Sequence, residues 1–177
     1  MAAPTGKRPS GFALRVIAHA PRLRRYATAW LHNAADADDL VQDCIERALR
    51  RQDSLHDPAR LGGWLLAILH NLHRSNLRRA RRRGQPVSVE SLADDLALSA
   101  PPEDRGEVRN FVRAMETLSE DHRQILLLVG LEGLTYREVA ELLEVPIGTV
   151  MSRLARARER LRVALEGGGD QTMRRVR

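Results

Sequence analysis

The sequence predicts an all-α protein made of two small helical domains joined by a flexible acidic linker. Three observations predict it. Apolar residues recur at three and four positions rather than alternating, which is the period of a helix face and not of a strand. That pattern is interrupted from Gly84 to about Glu107 by Pro86, Pro101, Pro102, several serines and the acids Glu90, Asp94, Asp95, Glu103, Asp104 and Glu107, set against one Arg105. The 177 residues are enough for one ordinary domain or two small ones with modest cores.

The first domain is expected over residues 11–83. Leu23, Tyr26, Ala27, Trp30 and Leu31 mark one helical face, with Pro21 in a first turn where its missing N–H costs nothing. Ala37, Leu40, Val41, Cys44, Ala48 and Leu49 mark a second, and Trp64, Leu65, Ile68, Leu69 and Leu72 a third. After the linker, over 84–107, a second domain is expected at 108–166, with helices near Val108–Leu118, Glu120–Val129, Thr135–Leu143 and Pro146–Leu165. Gly167, Gly168 and Gly169 are expected to end the last helix and open a flexible tail over 167–177.

Composition narrows the function. A net charge of +6 and a pI near 10.7 favour a polyanionic partner. Aromatics at 3% leave little for a stacking platform on single-stranded bases. The single Cys44 excludes an internal disulfide or a cysteine-based zinc knuckle, and it falls on an apolar face, as a core residue would. His70 and His73 stand at i and i+3 without a third metal ligand nearby. Neither a membrane-spanning run nor a signal-peptide core is visible, so a cytoplasmic protein without membrane insertion is expected. The absence of a Walker A loop, an HExxH or a nucleophile–base motif argues against an enzyme.

Charge is strongly partitioned. Thr135 and Glu138 have the spacing of a capping box, which starts a short helix. Leu143-Glu144-Val145-Pro146 breaks it, and a second helix follows with Ile147, Val150, Leu154, Ala157, Leu161 and Leu165 along one side. Two helices so closely joined cross steeply, as in a helix-turn-helix. Between Val145 and Leu165 five arginines (153, 156, 158, 160 and 162) face one acid, Glu159, where a helix built only for solubility would mix signs. Arg153, Arg156 and Arg160, at i, i+3 and i+7, suit phosphates and the guanine edge of the major groove. Asp36, Asp39, Asp43 and Glu46, with Gln42 among them, form an acidic face better suited to a basic protein partner than to DNA. Arg74, Arg78, Arg79, Arg81, Arg82 and Arg83 invert that charge on the next helix. Asn71 lies beside them, its amide able to meet both donor and acceptor edges of a base.

These motifs, in this order, resemble a bacterial RNA polymerase sigma factor of the extracytoplasmic-function (ECF) type, group 4 of the sigma-70 family. Asp36-Ala37-Asp38-Asp39-Leu40-Val41-Gln42-Asp43 is similar to region 2.2. Trp64-Leu65-Leu66-Ala67-Ile68-Leu69-His70-Asn71 with its arginine run is similar to regions 2.3 and 2.4. Leu118 through Gln124, Gly133 through Ala140, and Gly148 to Leu154 are similar to region 4. The resemblance implies a region 2 bundle that holds core polymerase, with Asp36, Asp39, Gln42, Asp43 and Glu46 on the β′ clamp helices. It implies that Trp64, Asn71, Arg74, Arg78 and Arg79 meet minus-ten DNA, Asn71 matching the family's base-pocket asparagine. It implies that Thr149, Ser152, Arg153, Arg156, Arg158 and Arg160 meet the minus-thirty-five element, with region 4 also touching the β flap. Promoter DNA, core RNA polymerase and an anti-sigma factor are the implied partners, with no cofactor or metal and no catalytic residue. Two positions depart from the pattern. Met151 stands where many members carry lysine or arginine, and Gly62-Gly63 precedes Trp64. A sigma-like decoy that only binds an anti-sigma factor would not need the basic helices. A stand-alone helix-turn-helix repressor would leave the acidic helix without a task, and a recombinase would need a catalytic domain.

Overall fold

In a computed structural model the described residues, 11–83, 101 and 104–173, form helices and short turns with no strand among them. The first domain holds α1 (Gly11–Ala18), α2 (Ala20–Leu31), α3 (Ala34–Arg50) and α4 (Leu61–Arg83). The second holds α5 (Arg105–Glu116), α6 (Glu120–Gly130), α7 (Tyr136–Leu143) and α8 (Ile147–Met173).

Each start and stop has a local cause. Asn33 caps α3 by accepting from the Asp36 N–H at 2.9 Å, and Asp36 in the first turn complements the positive end of the helix. His32 ends α2 in the left-handed region at φ 53°. The capping box forms as expected: Glu138 accepts from the Thr135 N–H at 2.8 Å and Thr135 Oγ1 accepts from the Glu138 N–H. Glu144, left-handed at φ 58°, makes the corner between α7 and α8.

In the first domain, Leu23, Tyr26, Ala27 and Trp30 of α2 bury against Ala37, Leu40, Cys44 and Ala48 of α3 and Leu65, Leu66 and Leu69 of α4. In the second, Ile125 and Leu128 of α6 and Val139 of α7 close on Val150 and Leu154 of α8. The Cys44 thiol donates to the Leu65 carbonyl at 3.4 Å, and burial pushes its pKa up to about 12, as befits a core residue. The domains meet along a seam where α2 faces α6 and α4 faces α7.

Several expectations on boundaries need correction. An additional helix, α1, precedes the first one read from the pattern; it buries only Val16 while Leu14 and Ile17 stay exposed, so its apolar stripe is too short to stand out. Helix α5 begins at Arg105, inside the interval assigned to the linker; residues 84–100, 102 and 103 lie outside the described residues. Helix α8 runs through Gly167–Gly169 to Met173, because glycine weakens a helix by about 1 kcal/mol without ending it unless the backbone turns left-handed. Residues 174–177 of the expected tail lie outside the described residues. Leu49, Ile147 and Leu165, read as parts of apolar faces, are exposed, because each lies on the edge of its helix's buried stripe.

Candidate nucleic-acid interface

The acidic face of α3 stands as the spacing requires. Asp36, Asp39, Gln42, Asp43 and Glu46 are all exposed, on the side of the helix away from Ala37, Val41, Cys44 and Ala48. Glu46 is partly engaged, accepting from Arg50 at 3.0 Å and from Gln42 at 3.4 Å. Asp38 is turned aside into a two-pronged pair with Arg24 of α2.

On α4, Asn71, Arg74, Arg78 and Arg79 are exposed and Trp64 is half-buried. These residues do not form one pocket. Asn71 and Arg74 line a hollow of about 220 Å³ whose other wall is the second domain, with Glu120, Asp121, Gln124 and Arg153. Trp64 sits two turns away in a separate, larger groove between Ser54–Arg60 and the face of α7 bearing Arg137 and Glu141. Its ring packs edge-on to Phe12 at 6.3 Å. The indole that shares the Asn71 hollow is instead Trp30, its ring centroid 4.3 Å from that of His70 and 4.4 Å from that of His73, with the planes tilted.

Polar side chains hold the two walls together. Arg74 donates to Asn71 Oδ1 at 2.7 Å and to Glu144 at 3.3 Å. His70 is almost completely buried, with Tyr26 Oη 2.9 Å from Nε2 and Gln124 donating to Nδ1 at 2.6 Å. Burial, then the neighbouring His73 and Arg74, lowers the His70 pKa to about 3. Burial also raises the Tyr26 phenol, helped by Glu132 and Glu120. His73 donates to Glu120 at 2.7 Å, and Arg123 donates to the Trp30 carbonyl at 2.7 Å. Farther along, Arg22 donates to Glu132 at 2.6 Å, and the Glu132 side chain is fully buried. His32 lies 3.7 Å from Glu116, its pKa lowered to about 4 by burial and then by Arg123, against the opposing pull of Glu116. None of these cross-domain pairings was visible in the sequence, although His70, His73 and Arg74 were singled out for other reasons, because no local pattern couples residues 47 to 110 positions apart.

On α8, Ser152, Arg156, Arg158 and Arg160 are exposed and Thr149 is half-buried. Arg153 does not stand in the open row that its spacing suggests. It is half-buried and pairs with Asp121 of α6 at 3.2 Å, because its position turns toward that helix. Arg162 is tied to Glu159 at 2.7 Å and to Glu166 at 2.6 Å. His122 reports the local field: burial lowers its pKa first, and Arg160, Arg153 and Arg156 lower it further. Among the described residues no three His, Cys, Asp or Glu side chains converge as a metal site would require, and no helix is long and apolar enough to cross a membrane.

A helix-turn-helix with an arginine-bearing second helix, joined to a helical bundle with an acidic flank, defines a DNA-binding transcription protein that also engages a protein partner. Residues 15–83 match the Sigma-70 region 2 family, and residues 109–161 match the family described as Sigma-70, region 4. The chain is 36% identical to the ECF RNA polymerase sigma factor EcfG of Rhodopseudomonas palustris (strain TIE-1), over 91% of this chain and 92% of that one. It is 33% identical to the ECF RNA polymerase sigma-E factor of Escherichia coli (strain K12), over 71% and 72%. The fold matches the sigma factor RpoE from Bartonella quintana, solved with the anti-sigma factor NepR, with a TM-score of 0.71, 30% identity and 89% of this chain covered against 98% of that one. The protein therefore belongs to the ECF RNA polymerase sigma factors, proteins that direct polymerase to promoters. The comparisons do not support the decoy or repressor readings better than this one.

Proposed function

We propose that this chain works as a sigma factor through three separate surfaces, two on residues 11–83 as region 2 and one on residues 105–166 as region 4, with the segment between them as a linker. The acidic face of α3, with Asp36, Asp39, Gln42, Asp43 and Glu46, holds the β′ clamp helices of core polymerase. Asn71, Arg74, Arg78, Arg79 and Trp64 meet the minus-ten DNA, where base extrusion costs a few kcal/mol and needs a pocket beside positive charge. Thr149, Ser152, Arg156, Arg158 and Arg160 meet the minus-thirty-five duplex, with Arg153 joining them once Asp121 releases it. The protein carries no chemistry of its own and works in the bacterial cytoplasm, where an anti-sigma factor controls it.

The observation that supports this reading best is the separation of charge. The exposed carboxylates of α3 and the exposed guanidinium groups of α8 lie on different elements, each facing solvent. One surface suits a basic protein and the other a polyanion. The arrangement is closed at Asn71, since Glu144 of the second domain occupies Arg74 of the first, while Asp121 holds Arg153 within the second domain. Promoter binding then requires the two domains to part.

Reconstitution tests the proposal. The full chain with core polymerase should start transcripts from a subset of a promoter-fragment library. Charge reversal at Asp39 and Asp43 should abolish assembly with core, while Asn71→Ala should leave assembly intact and impair opening of the minus-ten region. Equal failure of these variants in both assays, with the fold retained, would refute the division of labour.

A further inference from the structure

Of the four exposed large apolar side chains on α8, Ile147, Met151, Val163 and Leu165, the first two stand together at its N-terminal end, ahead of the arginines. Ile147 is 47% exposed and Met151 54% exposed, although each could have been polar at no cost to the core behind them. They are four residues apart on one side of the helix, so their side chains lie about 6 Å from one another. Ser152 is their neighbour on the outward face, and Arg156 and Arg158 follow within two turns, all exposed. Gly148 lies on the same outward sector. A Cβ added there would meet nothing within 4 Å, so the fold itself does not require glycine at that place.

We propose that Ile147 and Met151 form an apolar reading edge that packs on the C5-methyl group of a thymine in the major groove. The inference rests on the reading above, in which α8 enters that groove. The charge around the edge selects the occupant. A protein partner covering Ile147 and Met151 would also bury Arg158, on the same side of the helix, without a counter-charge, whereas duplex DNA supplies phosphates to the exposed arginines and methyl groups to the apolar pair. Thymine alone among the four bases offers an apolar group in the major groove, and the flexible, polarizable methionine adapts to its position. The upstream promoter element is therefore read partly by shape-matched methyl contact at one A·T pair, in place of the guanine contact that an arginine at residue 151 would make.

The test removes the methyl group and nothing else. Tight-binding duplexes are selected from a random-sequence pool with the full chain, and each thymine is then replaced singly by uracil, which keeps the hydrogen-bonding edge. One position should lose about fourfold in affinity, the effect of a single buried carbon. Met151→Ala should remove that sensitivity, and Arg156→Ala should retain it while lowering the salt dependence of binding. Met151→Arg should shift selection at this position toward guanine. If the pool yields no enriched duplex, the placement of α8 in the groove fails and the methyl contact with it. If duplexes are enriched but uracil is neutral at every position, or Met151→Ala keeps the full sensitivity, only the methyl contact is refuted. Weakened binding to core polymerase by Met151→Ala, with uracil sensitivity unchanged, would assign the edge to a protein partner and overturn the proposal.

Discussion

Acidification should loosen the seam between the domains through His70 and His32. Their pKa values in the folded chain are about 3 and about 4, against about 6.5 for an unperturbed imidazole. The unfolded chain therefore binds more protons between these limits. The stability that the neutral rings provide is fully present above about pH 6.5 and is lost as the pH falls through 5 toward the folded values. Going from about pH 7.5 to about pH 5, each ring costs about 2 kcal/mol, so the pair lowers unfolding free energy by about 4 kcal/mol. The geometry supplies the reason at His70. Gln124 donates to Nδ1, so that nitrogen must be an acceptor, and a proton there would confront the Gln124 amide unless the amide turned over. Urea unfolding at a series of pH values measures the slope. His70→Gln should reduce the loss between these two pH values by about half, whatever it does to stability at neutral pH. His122 titrates in the same direction, so the difference between parent and variant is the informative quantity. A parent protein equally stable at both pH values, or a His70→Gln variant with an unchanged slope, would refute this account.

Arg22→Ala should destabilise the chain by about 3 kcal/mol, because it strands a fully buried carboxylate whose second oxygen already has no partner, and Arg22→Ala with Glu132→Leu should recover much of the loss in the same urea measurement. Glu144→Gly should relieve a left-handed backbone worth about 1 kcal/mol and release Arg74, giving a chain at least as stable by thermal melting and with a larger donor–acceptor separation between dyes on α3 and α8. Thr135→Ala should cost about 1 kcal/mol through loss of the capping box, with duplex affinity falling as α7 frays. Arg156→Ala should reduce the slope of log affinity against log salt by about 1 in a duplex-binding titration, whereas Arg162→Ala, already held by Glu159 and Glu166, should change it much less.

How far the sequence foretold the protein differs by element. The acidic face of α3 and the capped start of α7 were legible because each is built from residues within a turn or two of one another: Asp36 with Asp39 and Asp43, Thr135 with Glu138. Arg153 was misplaced because periodicity gives the angular position of a side chain on its own helix and not the neighbour that waits there, here Asp121. The end of α8 was misplaced because glycine was read as a stop, although the helix passes through three of them. Trp64 was grouped with Asn71 by proximity along α4, yet the ring that shares the Asn71 hollow is Trp30, contributed by α2. The seam was invisible for a deeper reason. Gln124 and His70, or Glu132 and Arg22, are unremarkable alone and acquire meaning only when the domains dock.

The chemistry of that seam bears on how the protein would work. Apolar surface is costly to expose again, whereas an arginine, histidine or carboxylate leaving a polar contact is taken up by water at a net cost of about 1 kcal/mol. Arg74–Glu144 is of this inexpensive kind, since both side chains remain largely exposed. The expensive members, Arg22–Glu132 and His70–Gln124, lie away from the arginines of α8 and set how stable the closed form is rather than which DNA groups it hides. Under the proposed function, DNA phosphates offer Arg74 the same charge that Glu144 does. Opening then exchanges one set of oxygen acceptors for another. The net free energy of opening depends on the buried pairs and the apolar contacts beside them, so a variant that weakens only Arg22–Glu132 should favour the open form without altering the affinity of α8 for a duplex.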